Sequence, residues 1–299
     1  MMSYLFRRIT ELVSTLILLI FLVFLCLYWL PGEPLDRPQV YLSEISNRQL
    51  LYPQLKMWFS KVISLDFGSS LYYKNRSINE VIKSTFSISS LLGTLALLTS
   101  LGIGLPLGCW SGWKSTSPWS QRMNFFFLLG TSVPSYFIAI LTISVFAIRL
   151  QWFPPVYLES PSSWILPVFT LSWKPTFLII QLARQSVIEC LHEDYIRTAR
   201  GKGLSEYKIL FKHVLKNSIF FLIPLLSPLM TQLVTGSFLV ESIFQIPGLG
   251  KYFIQSILNR DYPLIMACSL LYGSLLVFFS ILIDLVYTYL DPRIEITKL

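Results

Sequence analysis

Six long apolar stretches constrain the fold of this chain more than any other feature of its sequence. A helix needs about 20 largely apolar residues to cross the hydrocarbon core of a bilayer. The runs lack the alternation of polar and apolar residues that marks the strands of a membrane β-barrel. We therefore predict an all-α integral membrane protein with six transmembrane helices. The stretches are Ile9–Leu30, Phe86–Trp110, Met123–Ile148, Trp164–Leu182, Ser218–Val240 and Leu264–Leu290.

The charge content agrees with a membrane protein. Charged residues make up 13% of the 299 residues, whereas soluble domains carry about 25%. The net charge of +8 raises the possibility of nucleic-acid binding, but no basic segment has a nucleic-acid-binding fold pattern. The bias of cytoplasmic loops toward Lys and Arg explains the excess better, so we expect no nucleic-acid partner. The four cysteines are scattered without a CxxC pair, so we expect no metal site.

Lys and Arg in the connections set the predicted orientation. With a cytoplasmic N-terminus, that side holds thirteen of them and the far side ten. Seven of those ten lie in the long Pro31–Thr85 connection, where acidic residues offset them, so the shorter far-side loops hold only three. We therefore predict that both termini are cytoplasmic. We also divide the chain into residues 1–85, which hold the first transmembrane helix and an external loop, and a permease domain over 86–299.

The connection between the fourth and fifth stretches, residues 184–217, is strongly basic and is predicted to be cytoplasmic; we call it the coupling loop. From Ser205, which can cap a helix, apolar residues recur at helical spacing. Gly201 and Gly203 allow a sharp turn before that helix. An amphipathic helix lying on lipid is one interpretation, but a turn between two helices projects from the membrane and suits a protein partner better. The apolar positions of the helix are Tyr207, Leu210, Phe211, Val214 and Leu215, beside Lys208, Lys212 and Lys216.

The segment "RTARGKG" (197–203) resembles the cytoplasmic loop of ABC importer permeases, whose pattern is Glu-Ala-Ala-x-x-x-Gly. Arg197, Thr198, Ala199 and Gly203 occupy the matching positions. The longer segment from 194 to 217 is similar to the dipeptide/oligopeptide (and nickel) permease branch, in which Arg commonly replaces the first Glu; here Gly201 replaces the usual Ala. Further similar segments occur in order along the chain: "LPGEP" (30–34), "LDFGSSL" (65–71), "GIGLPLG" (102–108), "VPSYF" (133–137), "IPGLG" (246–250), "RDYPL" (260–264) and "YLDPRI" (289–294).

The resemblance implies a permease subunit, without enzyme activity, in a bacterial inner (plasma) membrane. Its implied partners are a second homologous permease, two cytoplasmic ATP-binding subunits and an extracytoplasmic peptide-binding protein. The permease would bind no cofactor, and the partner subunits would use ATP and Mg²⁺; the sequence has no Walker pattern G-x-x-x-x-G-K-[ST]. The residues expected to couple it to the ATPases are Tyr195, Arg197, Thr198, Ala199, Arg200, Gly201, Lys202, Gly203, Leu204 and Ser205.

Several residues inside the predicted spans could belong to the transport route or to helix pairing. Isolated charges at membrane depth cost roughly 2.5–3.5 kcal/mol, so Lys174, Glu241 and Asp284 each need a partner, water or a function. The two acids match acidic positions of the family, and pairing is as good an interpretation for them as substrate contact. Lys174 matches no family position. Pro134 interrupts the third span, where it could serve packing or a rearrangement around the route.

Two alternatives remain at this point. Nickel permeases share the pattern closely, so the cargo could be nickel rather than peptide. From a different class, a membrane-embedded enzyme or a channel fits less well. The two histidines, His192 and His213, both lie in the coupling loop and cannot form an HExxH pair, and a channel leaves the basic loop unexplained.

Overall fold

The computed structural model describes residues 2–29, 56, 60, 62, 64–73, 76–157 and 160–290. Across these ranges the chain is helical and has no strand, only an isolated bridge between Ser69 and Ser77. The helices are α1 Met2–Trp29, α2 Ile78–Trp113, α3 Pro118–Ser132, α4 Ser135–Thr142, α5 Ile165–His192, α6 Asp194–Gly201, α7 Glu206–Ile209, α8 Leu215–Val234, α9 Phe238–Ile243, α10 Leu249–Leu258 and α11 Tyr262–Leu290. A π-helical stretch, Ile143–Arg149, continues α4, and another, Leu210–Val214, joins α7 to α8.

Of the described residues, three helical segments are long and apolar enough to cross a membrane, and five if each of two bent pairs is one span. The three are α2, α5 with its leading turn from Pro161, and α11 up to Val286. The apolar part of α1, Ser14–Cys26, is shorter. A helical membrane protein is thus confirmed, whereas the count of six crossings and the cytoplasmic termini stay predictions. The 1–85/86–299 division also stays a prediction, because most of residues 30–63, like 291–299, lie outside the described residues.

The third predicted span is not one straight helix. Pro118–Ser132 and Ser135–Arg149 meet at an angle of 95°, and Val133 and Pro134 between them are extended, with ψ angles of 123° and 140°. Proline disfavours the α conformation in the residue before it, which explains why the helix ends there. Pro134 itself is exposed and lies at this bend.

Helices α2 and α5 pack with their backbones in close contact through a glycine stripe on α2: Gly104, Gly108 and Gly112. A Cβ on Gly108 would lie 2.6 Å from the carbonyl oxygen of Ile180, and one on Gly112 would lie 2.7 Å from that of Arg184. Small residues spaced four apart let helices approach this closely in lipid, where packing drives association. The α2–α5 pair is therefore the centre of the bundle.

The fifth predicted span ends earlier than its apolar run. Helix α8 stops at Val234, and Gly236 has a φ of +91°, a left-handed conformation that glycine adopts without a steric penalty. The chain then forms the separate short helix α9. Glu241, which we expected near the outer end of a continuous span, lies instead inside this re-folded segment and is fully buried.

Candidate functional site

The coupling loop is held against the ends of α2 and α5 by its own apolar cluster. Ile196 and Ala199 of α6 and Ile209, Leu210 and Val214 further along are buried. They pack with Val187 and Cys190 of α5 and with the half-buried Cys109 and Trp113 of α2. Because this burial joins the loop to the two central helices, the loop cannot move independently of them.

The turn inside the loop is formed by Gly203. Helix α6 ends at Gly201, and Gly203 has a φ of +75°. The amide of Gly203 donates to the carbonyl of Arg200 at 2.9 Å, and that of Leu204 donates to the carbonyl of Ala199 at 3.3 Å. We expected both glycines to separate the helices; only Gly203 lies in the turn with a left-handed backbone, while Gly201 is the last helical residue.

The predicted helix start at Ser205 is confirmed. Its hydroxyl accepts a hydrogen bond from the amide of Lys208 at 3.4 Å, which satisfies one of the N–H groups left unpaired at a helix start. Upstream, α5 ends at His192 and α6 begins at Asp194, so the loop is two short helices set on the end of a long one.

An ion pair closes the turn from the side. Arg200 Nε donates to Glu206 Oε1 at 2.8 Å and Arg200 Nη2 donates to Oε2 at 3.2 Å. These hydrogen bonds lower the pKa of Glu206 and raise the pKa of Arg200. Both side chains are about half exposed, so the pair contributes under about 1 kcal/mol to stability and mainly fixes the orientation of Arg200.

Two aromatic side chains of the loop face outward, contrary to the predicted apolar face. Tyr207 and Phe211 are each 67% exposed, whereas Ile209, Leu210 and Val214 are buried. The π-helical stretch from Leu210 holds an extra residue per turn, which rotates the side chains away from α spacing. Tyr207 is also steadied by Trp113, whose ring lies edge-on at 5.3 Å.

The other predicted coupling residues divide between anchoring and exposure. Tyr195 accepts a hydrogen bond from Asn217 at 2.9 Å, and burial raises its pKa. Arg197 pairs with Asp194 at 3.3 Å but remains largely exposed, and Thr198 and Lys202 are exposed as well. The outer surface of the loop, which we call the docking face, therefore combines cations with exposed aromatic rings: Arg197, Lys202, Tyr207, Lys208, Phe211 and Lys212.

Glu241 organises the chain at the far end of α8. Its carboxylate accepts hydrogen bonds from the hydroxyl of Ser89 on α2 at 2.7 Å and from the amide of Lys251 at 2.8 Å. Gly236 and Gly248 pack so closely on it that a Cβ at either would lie within 2.6 Å of the carboxyl group. Helix pairing, one of its two predicted roles, is the role that these contacts support.

Asp261 is a second buried acid, which the sequence analysis missed. It is fully buried and accepts a short hydrogen bond from the hydroxyl of Ser70, so it ties the "LDFGSSL" segment to the start of α11. Nearby, the hydroxyl of Tyr73 donates to Gln255 at 2.8 Å, and burial raises the pKa of Tyr73 to about 12. The signal was present: an Asp directly before a helix start is a capping residue, and "RDYPL" has one.

Lys174 and Asp284 are not brought together with these acids. Lys174 is exposed in the middle of α5, and across the described part of the chain it has no ion-pair or hydrogen-bond partner. The pairing that we considered between Lys174 and Glu241 is therefore wrong in this structure. Asp284 is half-buried on α11, within the last predicted span.

Comparison with known proteins fits this arrangement. Residues 104–296, about two thirds of the chain, match the family model of the binding-protein-dependent transport system inner membrane component. The chain belongs to this family of membrane transport components. The match covers the glycine stripe, the whole coupling loop and α11 up to its end, so the sequence resemblance is confirmed.

Full-length relatives narrow the comparison to peptide permeases. The chain is 34% identical to the dipeptide transport system permease protein DppB of Bacillus subtilis, over 100% of this chain and 99% of the relative. It is 33% identical to the oligopeptide transport system permease protein OppB of Haemophilus influenzae, over 99% and 100%. It is also 33% identical to OppB of Salmonella typhimurium, with the same coverage.

Proposed function

We propose that the chain is one permease subunit of an ATP-driven importer and that, with a second homologous permease, it forms the membrane route for peptides delivered by an external binding protein. The family membership and the names of the full-length relatives support a transport component for peptides. The observation that carries the coupling part of the proposal is the docking face, because it exposes two aromatic rings and several cations on an anchored loop. Exposed aromatic residues next to Arg are typical of protein interfaces.

Two cytoplasmic ATPase subunits are the proposed partners of the docking face, one on this chain and one on the second permease. This chain supplies no nucleotide site of its own; ATP and Mg²⁺ act in the partners. When ATP binding closes the ATPases, the coupling loop moves with their surfaces. Because the loop shares one apolar cluster with α2 and α5, its movement is passed to the centre of the bundle. Such coupling requires docking contacts whose free energy differs between states by about 1–3 kcal/mol.

The orientation belongs to the same proposal. If the docking face is cytoplasmic, the Glu241 and Asp261 clusters lie toward the outer side, because they contact the opposite end of α2 from Trp113. The 36 residues of α2 span about 54 Å at 1.5 Å per residue, enough to cross a bilayer with its headgroups. We place the protein in a bacterial inner membrane with both termini in the cytosol.

The test uses a strain that lacks this chain and carries it back on a plasmid. We expect uptake of a labelled peptide to be lost and then restored, with nickel uptake measured in parallel unchanged. Copurification of ATPase subunits with the tagged chain checks the partners. Restored nickel uptake without peptide uptake would replace the cargo, and purification without any ATPase would refute the coupling role.

A further inference from the structure

Lys174 lies at membrane depth wherever the bilayer is placed along α5. The helical segment that contains it runs from Pro161 to His192, which is 32 residues. A crossing takes about 20 residues. A 20-residue window inside this segment starts at 161 at the earliest and at 173 at the latest, so every such window contains position 174.

Three sides of α5 are covered by other helices. Helix α2 packs on the side of Ile180 through the glycine stripe. Helix α3 packs on the side of Trp173, whose indole N–H donates to the carbonyl of Gly130 at 3.1 Å. Helix α8 packs on the side of Ser186, whose hydroxyl donates to the carbonyl of Ser218 at 2.8 Å. Lys174 points away from α2, on the fourth side, between α3 and α8.

The fourth side of α5 is polar along its length. At about 100° per residue, Gln181 and Gln185 lie within roughly 20° of the direction of Lys174, and Glu189 follows. Gln185 is exposed and donates to Glu189 at 3.0 Å. The exposed side of α11 differs sharply, since it presents only apolar side chains: Leu276, Phe278, Leu282, Leu285 and Val286. The side of α11 suits lipid; the side of α5 suits water.

The charge on this polar side is not balanced nearby. Residues 161–188 contain Lys174 and Arg184 but no Asp or Glu. Glu189 is fifteen residues from Lys174, about 22 Å along the helix, too far for an ion pair. By contrast, the pocket of about 380 Å³ between α2, α5 and α8 is lined entirely by apolar residues, such as Leu101, Ile179 and Leu222, and offers nothing to a charged ligand.

We infer that Lys174 binds the C-terminal carboxylate of the transported peptide as it passes along the polar side of α5. This inference rests on the proposed function and adds a substrate contact to it. Every unblocked peptide carries that carboxylate, whereas side chains vary, so one fixed cation can serve peptides of any sequence. A flexible ammonium with three donors suits a ligand that must be released again.

The test compares a peptide with its C-terminal amide, using the complete importer in proteoliposomes. Both are supplied at concentrations that saturate the binding protein, so that its own preference has no effect on the comparison. Lys174→Met removes the charge at similar length, and Lys174→Arg retains it. We expect Lys174→Met to slow import of the free acid by about tenfold, as for the loss of a charge-assisted hydrogen bond. Import of the amide should change less than twofold, and Lys174→Arg should behave like the wild type.

Each other outcome has a distinct meaning. If Lys174→Met slows both peptides equally, or neither, Lys174 does not contact the carboxylate, and an acid of the second permease is the better partner. That result leaves the proposed function intact. If the wild type imports neither peptide while its ATPases are active, the proposed function fails, and this inference fails with it.

A second measurement does not depend on transport. In a chain whose native cysteines are replaced by alanine, Lys174→Cys should react with a water-soluble maleimide, and saturating free-acid peptide should block the reaction. Leu282→Cys, on the apolar side of α11, is the matched control and should stay unlabelled. Absence of labelling at position 174 would show that this side of α5 is dry and would overturn the inference.

Discussion

The turn at Gly203 permits a sharp test of the coupling loop, because the chain offers a matched control two residues away. At neither Gly201 nor Gly203 does an added Cβ have a neighbour within 4 Å, so neither substitution to alanine causes a clash. The two differ in backbone only. Gly203 has a φ of +75°, whereas Gly201 ends a helix. Any difference between Gly203→Ala and Gly201→Ala therefore reports the left-handed turn.

The expected magnitude follows from that conformation. A residue with a Cβ costs roughly 1–2 kcal/mol in the left-handed region, while alanine inside a helix is favoured over glycine by up to about 1 kcal/mol. A free loop can relax to relieve the strain at position 203, but a docked loop must keep its shape. Gly203→Ala should then weaken ATPase binding by up to the full strain, a factor of about 5–30 in Kd. Gly201→Ala should change it less than twofold.

The assay titrates the purified ATPase subunit onto each variant in nanodiscs and follows binding by fluorescence anisotropy. Peptide uptake in cells is measured beside it. Thermal unfolding of both variants serves as the folding control, because the strain argument requires an intact chain. If Gly203→Ala and Gly201→Ala bind the ATPase equally well and import peptide equally well, the turn is not part of the docking face.

Three further predictions concern other parts of the molecule. Gly108→Ala should destabilise the chain by about 1–3 kcal/mol through overpacking and lower its Tm in detergent, while Gly102→Ala, with nothing within 4 Å, should leave Tm unchanged. Asp261→Asn should lower Tm by weakening a buried acceptor, a loss of about 1–3 kcal/mol; an unchanged Tm would mean that the Asp261 cluster does not stabilise the chain. Because Arg200 lowers the pKa of Glu206, their pair should be fully formed above the ordinary Glu value of about 4.3 and lost as the pH falls through the lowered pKa. Glu206→Gln should thus reduce Tm slightly at pH 7, and the difference from the wild type should disappear in acid rather than between pH 6 and 8.

The helical architecture and the coupling loop could be predicted because their signals are local. Apolar runs of membrane length define helices, and Ser205 and Gly203 act on their own backbone. The same holds for the interruption at Pro134, although the size of the bend there depends on how α3 and α4 pack against α5. Local chemistry sets where a helix ends, and tertiary packing sets where the next one goes.

The buried acids were harder, because their roles depend on contacts between distant segments. The partner of Glu241, Ser89, lies 152 positions away, and that of Asp261, Ser70, lies 191 positions away. No periodicity in one sequence reveals such pairs. The outward rotation of Tyr207 and Phe211 was missed for a different reason, since a π-helical turn leaves no clear mark in the order of residues.

The glycine stripe has a mechanical consequence. Where two backbones touch without intervening side chains, sliding one helix along the other drives the side chains flanking the glycines into the opposite main chain. Helices α2 and α5 should therefore swing together as a stiff lever rather than shear. A push received at Trp113 would arrive at Ile78, some 50 Å away at 1.5 Å per residue, and the break at Pro134 is where a neighbouring segment can yield to it.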